Sequence, residues 1–146
     1  MKTVAQNRRA RFDYEISETL EAGLMLSGQE VKACRAGHVD LRGSYVSFSN
    51  GKPILKSAKI MKYQFASQLE DYAPGHDRPL LLKKTEIQRL NALTSEKGIT
   101  IIPMEMRLGR YIKVLLGVAR GRKTVDKRAR IKERDMERRL KKGEEI

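Results

Sequence analysis

Apolar and polar residues alternate in short segments along the chain, which is the pattern of β-strands with one buried face. Asn50-Gly51 lies between two such segments and predicts a tight hairpin, because both residues tolerate positive φ. Gly23 indicates a bulge or bend within its strand, and Pro103, which cannot donate to a ladder, indicates an edge or a bulge. Six strands are predicted, over residues 12–16, 19–26, 44–48, 54–58, 99–108 and 112–118.

The last two of these segments carry the clearest alternation. In the last, four branched apolar residues recur at every second position, which predicts one continuous buried face: Ile112, Val114, Leu116 and Val118. The same pattern in the segment before it predicts that its apolar side chains also share one face: Ile102, Met104, Met106 and Leu108. Residues 61–79 show no regular period, and we expect a long loop there.

Two helices interrupt the strand pattern. Ser27 and Glu30 have the spacing of a capping box, which predicts a helix from about Gly28 to Arg35. A second capping box is predicted at 85–88, followed by apolar residues at every third position and by Gly98 at the C-terminus. On pattern alone, this set of elements fits a partly open barrel of the OB-fold type, and a split α+β sheet fits nearly as well.

Charge and composition divide the chain into three parts. We expect a basic N-terminal arm over residues 1–11, a mainly β body with short helices over 12–119, and a basic C-terminal tail over 120–146. The tail has twelve Lys or Arg and six Asp or Glu and few bulky apolar residues, so we expect it to be disordered in the free protein.

The formal net charge of +13 favours a polyanionic partner, either a nucleic acid or an anionic membrane. No apolar run approaches the roughly 18 residues that a membrane span needs, and the N-terminal segment lacks the apolar stretch of a secretory signal. Cys34 is the only cysteine, which excludes an intrachain disulfide and favours a reducing cytoplasm. Its place on an apolar helix face predicts a packed small hydrophobic residue.

The sequence contains no clear set of catalytic residues. His38 and His76 have no cysteine or second histidine at a metal-ligand spacing, and no phosphate-binding P-loop is present. We therefore expect a non-catalytic protein without a metal or a cofactor.

Three basic segments are candidates for contact with nucleic acid. The N-terminal arm offers Asn7, Arg8, Arg9 and Arg11 for phosphate contacts and for a bond to a base or sugar edge. Outside the tail, residues 1–119 have a net charge of +7, and in the body Lys83 and Lys84 follow the apolar run at 80–82. The tail, with a net charge of +6, is the third candidate.

Several segments together resemble one known family, the SsrA-binding protein (SmpB) family. The similar segments run in order over nearly the whole chain: Asn7-Arg8-Arg9-Ala10-Arg11, Leu20-Glu21-Ala22-Gly23-Leu24, Gly28-Gln29-Glu30-Val31-Lys32, Ser44-Tyr45-Val46, Arg78-Pro79-Leu80-Leu81-Leu82, and Gly117 to Lys123 with Asp126-Lys127-Arg128. Each segment is a weak pattern, but the ordered set is highly specific.

The resemblance implies an OB-type barrel that binds the tRNA-like part of transfer-messenger RNA (SsrA) and delivers it to stalled ribosomes in trans-translation. It places Asn7, Glu21 and Leu81 at positions tied to RNA binding. It places the tail residues in the decoding centre and messenger path of the small subunit: Gly121, Arg122, Lys123, Asp126, Lys127 and Arg128. Some members have His where this chain has Val125. We expect a cytoplasmic monomer.

The residues by themselves leave alternatives open. Glu21 can accept a bond from RNA or hold neighbouring cations in place, and Leu81 can contact RNA or belong to the core. At the level of the whole protein, a generic ribosome-associated RNA-binding protein or RNA chaperone uses the same charge, and an enzyme acting on RNA is a further alternative.

Overall fold

Nine strands and three short helices form in residues 2–65 and 71–121, the part of the chain that the computed structural model describes. In chain order they are β1 (Lys2–Gln6), α1 (Ala10–Asp13), β2 (Tyr14–Leu24), α2 (Gly28–Arg35), β3 (Val39–Asp40), β4 (Tyr45–Ser49), β5 (Lys52–Lys56), β6 (Lys59–Ile60), β7 (Arg78–Leu81), α3 (Lys84–Thr94), β8 (Ile99–Leu108) and β9 (Ile112–Gly121).

The main sheet curls into a barrel because β8 and β9, which have ten residues each, pair with each other. The strand order is β1-β8-β4-β5-β7-β2-β9, and β8 also pairs with β9, so that six strands enclose the core. Some strands pair over only a few residues, and β4 pairs with β8 through a single residue pair, Val46 and Ile101. The prediction of a mainly β, partly open barrel is confirmed.

The alternation of β9 determines which of its side chains fill the barrel. Ile112, Val114, Leu116 and Val118 are all buried in the main core, as predicted. The predicted Asn50-Gly51 hairpin also forms between β4 and β5, with positive φ at both residues. Cys34 is fully buried in the same core from helix α2, which spans Gly28–Arg35 as predicted.

A bulge in β8 overturns the prediction that its four apolar residues share one face. The register with β9 shifts between Pro103 and Glu105, so the alternation changes phase there. Met106 is buried in the main core, whereas Ile102 and Met104 lie in a second, smaller cluster with Ala10 of α1. The expectation of a bulge near Pro103 is confirmed.

The N-terminal segment is attached to the body by backbone pairing, which the sequence did not predict. Strand β1 pairs with the end of β8, and Phe12 lies in α1 rather than in a strand. The two strands predicted over 12–16 and 19–26 are one strand, β2, whose irregularity lies between Ile16 and Glu18 and not at Gly23. The pairing of β2 with β9 holds this long strand together across the bulge.

Part of the expected long loop is a strand. Arg78 to Leu81 form β7, which pairs with both β5 and β2 and completes the barrel wall. Helix α3 begins at Lys84, one residue before the predicted capping box, and the Glu86 carboxylate accepts the backbone N–H of Lys83. The tail beyond Gly121 lies outside the described residues.

Candidate nucleic-acid interface

Four neighbouring strands present one row of side chains on the outside of the barrel. Cα pairing aligns Leu81 of β7 with Gly23 of β2, Gly23 with Lys113 of β9, and Lys113 with Arg107 of β8. Paired residues of adjacent strands point to the same side, so these four positions form a continuous outer row. Two of the positions that the resemblance singles out, Leu81 and Glu21, lie in or beside it.

Glu21 lies beside this row and touches both of its cations. Its carboxylate oxygens are 3.7 Å from a guanidinium nitrogen of Arg107 and 4.0 Å from the Lys113 ammonium. Arg107 also donates from Nε to Glu105 over 2.8 Å. The Glu21 carboxylate therefore lies where it can hold these two cations in place.

Leu81 lies on the surface and does not belong to the core. Its side chain is 54% exposed, whereas the adjacent Leu80 points into the barrel. Gly23 makes room for it, because a Cβ built at Gly23 would lie 3.1 Å from the Leu81 Cβ. The absence of a side chain at Gly23 therefore keeps this part of the surface open.

A groove of about 470 Å³ opens beside Leu81, between the row and the β8–β9 hairpin. Apolar side chains from β2, α2 and β9 contribute to its lining, and Arg35, Arg110 and Lys113 add positive charge. Tyr111 at the tip of the hairpin is 65% exposed, with the Arg110 guanidinium 5.7 Å from its ring centre. None of these four residues was predicted from the sequence to contact nucleic acid. Arg107 and Lys113 each stand between two apolar residues of an alternating strand, and this spacing was the available signal that their side chains face outward.

The arginines predicted for the N-terminal arm divide between two surfaces. Arg8 and Arg11 line a depression of about 300 Å³ together with Glu105 and Leu115, whose strands also carry the outer row. Arg9 lies elsewhere, where it is 3.7 Å from Asp13 and lines a second groove that also includes Tyr45 and Arg42. Arg8 and Arg11 are therefore closer to the row in the sheet than Arg9.

Asn7 is a buried residue, and its side-chain amide is engaged within the protein. The Nδ2 group donates to the backbone carbonyls of Pro103 at 3.2 Å and Leu41 at 3.4 Å. Its backbone N–H also donates to the Met104 carbonyl over 2.8 Å. This geometry joins the N-terminal segment to the β8 bulge and fixes the backbone next to Arg8.

Lys83 and Lys84 are exposed at the junction of β7 and α3, directly after Leu81 and Leu82 in the chain. Gly121 is the last described residue and pairs with Tyr14 at the end of β9. It lies eight residues beyond Lys113, or roughly 26 Å along an extended strand. The other predicted tail positions lie outside the described residues: Arg122, Lys123, Asp126, Lys127 and Arg128.

A buried ion pair supports β7 from inside. The Glu30 carboxylate accepts a hydrogen bond of 2.9 Å from Arg78 Nε, and the Arg78 side chain is fully buried. Burial alone would raise the pKa of Glu30. Hydrogen bonds from the Ser27 backbone and from Arg78, together with the positive charge of Arg78, outweigh the effect of burial and lower this pKa to about 2. The predicted capping carboxylate thus also anchors the start of β7.

Among residues 2–65 and 71–121, no group of three or more His, Cys, Asp or Glu side chains is arranged to hold a metal ion. Over the same residues, no helix is long and apolar enough to cross a bilayer.

Comparisons with known proteins agree over nearly the whole chain. The family model described as SmpB protein matches residues 4–145. An SsrA-binding protein from Chloroflexus aggregans is 48% identical over 92% of this chain and 86% of its own length. One from Coprothermobacter proteolyticus is 45% identical over 100% of this chain and 99% of its own.

A solved structure gives the same result for the fold. Its description reads "tmRNA-SmpB: a journey to the center of the bacterial ribosome", and the matching chain has a TM-score of 0.69 and 45% identity. The match covers 82% of this chain and 85% of that one. Sequence and fold agree, and the chain belongs to the SmpB protein family.

Proposed function

We propose that this protein binds transfer-messenger RNA and acts with it on stalled ribosomes in trans-translation. The observation that carries the proposal is the match to the SmpB family over residues 4–145. A similar chain occurs in a solved structure whose description names tmRNA, SmpB and the bacterial ribosome. The formal net charge of +13 supports a polyanionic partner.

The outer row and its surroundings supply the RNA-binding surface of the body. Arg107 and Lys113 contact phosphates, and Glu21 holds them in position from a distance of about 4 Å. Leu81 offers an exposed apolar contact to a base or sugar, while Arg8, Arg11, Lys83 and Lys84 extend the positive charge on either side of the row. Such a surface suits folded RNA, which proteins recognise mainly through shape, phosphates and sugars.

The tail performs a separate task in this proposal. It follows Gly121, which lies at the opposite end of β9 from Lys113. Residues 122–128 then enter the messenger path and the decoding centre, and substitute for the codon–anticodon contact that a tRNA-like molecule lacks. The protein acts by binding, without catalysis or a cofactor, in the cytoplasm and as a monomer.

Equilibrium binding tests this function directly. The full chain should bind transfer-messenger RNA more tightly than unrelated transcripts of equal length, and binding should weaken as salt rises because phosphate contacts release counterions. A chain truncated after Gly121 should keep most of this affinity and lose peptide tagging on stalled ribosomes. Equal affinity for all transcripts would refute the proposed function, and a large loss of affinity on truncation would move the RNA site to the tail.

A further inference from the structure

The groove beside Leu81 has the size of a site for one small organic molecule. Its volume of about 470 Å³ falls within the range of roughly 300–1,000 Å³ that such sites occupy. Leu24, Leu26, Val31 and Ile112 contribute apolar atoms to the lining. Gly23 also lines it, and the absence of a side chain there leaves the space beside Leu81 open.

Two large apolar side chains at the groove remain exposed, Leu81 at 54% and Tyr111 at 65%. The Tyr111 ring offers a flat π surface, and the Arg110 guanidinium lies 5.7 Å from its centre. Tyrosine rings and arginine planes are the surfaces on which proteins stack unpaired bases of RNA.

The charge of the groove restricts what can occupy it. Arg35, Arg110 and Lys113 line it, and no Asp or Glu does, although Glu21 lies 4.0 Å from Lys113. Within the described residues, neither Arg35 nor Arg110 has a carboxylate within 4.0 Å. The chain's own tail, with a net charge of +6, would be repelled. The complementary ligand has an apolar, flat body and a negative charge, which describes a nucleotide.

We propose that this groove receives a single unstacked base of the bound RNA, which contacts Leu81 and Tyr111 while Arg35, Arg110 and Lys113 contact the flanking phosphates. This proposal rests on the proposed function and adds to it a site for one unpaired nucleotide. In this arrangement, the cations of the row bind the RNA backbone. The groove binds one nucleotide at a position where the RNA is not paired.

The test compares Tyr111→Ala with Tyr111→Phe in the full chain, and uses Tyr45→Ala as a matched control. Tyr45 is also exposed, at 42%, but lies on β4 beside the other groove. Tyr111→Ala should weaken binding of transfer-messenger RNA by about fivefold to a hundredfold, the range for loss of one stacked base. Tyr111→Phe and Tyr45→Ala should bind as the unaltered protein does.

Salt dependence separates stacking from charge. The slope of log affinity against log salt should stay unchanged in Tyr111→Ala, because a tyrosine releases no counterion. In Arg35→Ala the slope should fall by about one, as for one lost phosphate contact. A changed slope in Tyr111→Ala would contradict a stacking role.

Chemical probing shows whether a base is held. Dimethyl sulfate and a carbodiimide together report on all four bases, and one unpaired base should be protected by the unaltered protein and exposed again in saturated complexes of Tyr111→Ala. Unchanged affinity and unchanged protection in that variant would overturn the proposal. If the unaltered protein itself fails to prefer transfer-messenger RNA, the proposed function fails; if it does prefer it and Tyr111→Ala behaves identically, only the groove proposal fails.

Discussion

Gly23 and Leu81 face each other across β2 and β7, and a Cβ at Gly23 would approach the Leu81 Cβ to 3.1 Å. A larger side chain at Gly23 must therefore displace Leu81 and fill part of the groove. We expect Gly23→Val to weaken RNA binding by about as much as Leu81→Ala, because both remove the same exposed contact. Titration of labelled transfer-messenger RNA measures both affinities.

Gly75→Val is the matched control for this change. Nothing lies within 4 Å of a Cβ built at Gly75, which is in the loop before β7. Its RNA affinity should equal that of the unaltered protein. Full affinity in Gly23→Val, with Leu81→Ala impaired, would show that Leu81 can move without loss of contact.

Asn7 and Arg8 are adjacent but should respond differently to substitution. Asn7→Ala removes two hydrogen bonds to buried backbone carbonyls, so the free energy of unfolding should fall by about 1–3 kcal/mol. Arg8→Ala should leave stability unchanged and weaken RNA binding, because Arg8 is exposed in a cationic depression. Denaturant unfolding and RNA titration of both variants separate the roles. A stable Asn7→Ala protein with impaired binding would assign Asn7 to direct RNA contact.

The pairing of Glu30 with Arg78 should make the fold sensitive to acid. The pKa of Glu30 is lowered from 4.5 to about 2 in the folded protein. Its contribution to stability is therefore fully present above pH 4.5 and is lost as pH falls toward 2, a change of about 3 kcal/mol. Denaturant unfolding at a series of pH values measures this loss.

Glu30→Gln is the comparison that isolates this carboxylate. It should be less stable at neutral pH, because it leaves the Arg78 charge buried without its partner. Its stability should also fall less steeply between pH 4.5 and 2 than that of the unaltered protein. Parallel curves for the two proteins in this range would mean that Glu30 does not titrate as described.

Cys34 should be chemically inert in the native protein. Its side chain is fully buried, and that burial raises the pKa of the thiol to about 12. Since the thiolate is the reactive form, alkylation by iodoacetamide at pH 8 should be very slow until the protein is unfolded. Mass spectrometry of native and denatured samples compares the two rates. Rapid labelling of the folded chain would indicate an opening of α2 that this structure does not show.

The elements that could be predicted from sequence are those whose local signals agree with their packing. Helix α2 has its capping residues and buried stripe, and Asn50-Gly51 has the backbone freedom that its turn requires. In β9, four branched residues at alternate positions point into a single core. In these elements, tertiary contacts reinforce the local preference.

Elements that depend on distant partners could not be predicted. Strand β7 begins at Arg78, a residue type that is usually exposed. Its side chain is buried here because it pairs with Glu30, 48 positions earlier in the chain, and donates to backbone carbonyls, among them that of Ala58. The phase change in β8 depends on how the bulge at Pro103 packs against α1, which alternation alone does not reveal. The same limit applies to the site, because Leu81 and Lys113 become neighbours of Gly23 only through pairing of three strands.

The most direct test of the RNA-binding surface is recovery of RNA on the tagged full chain from a bacterial lysate, followed by sequencing. The unaltered protein should yield transfer-messenger RNA as its dominant partner. The double variant Arg107→Ala, Lys113→Ala should recover much less of it while keeping the same fold by circular dichroism. Transcripts recovered in proportion to their abundance, or equal enrichment by the double variant, would contradict a dedicated site for a tRNA-like RNA on this face.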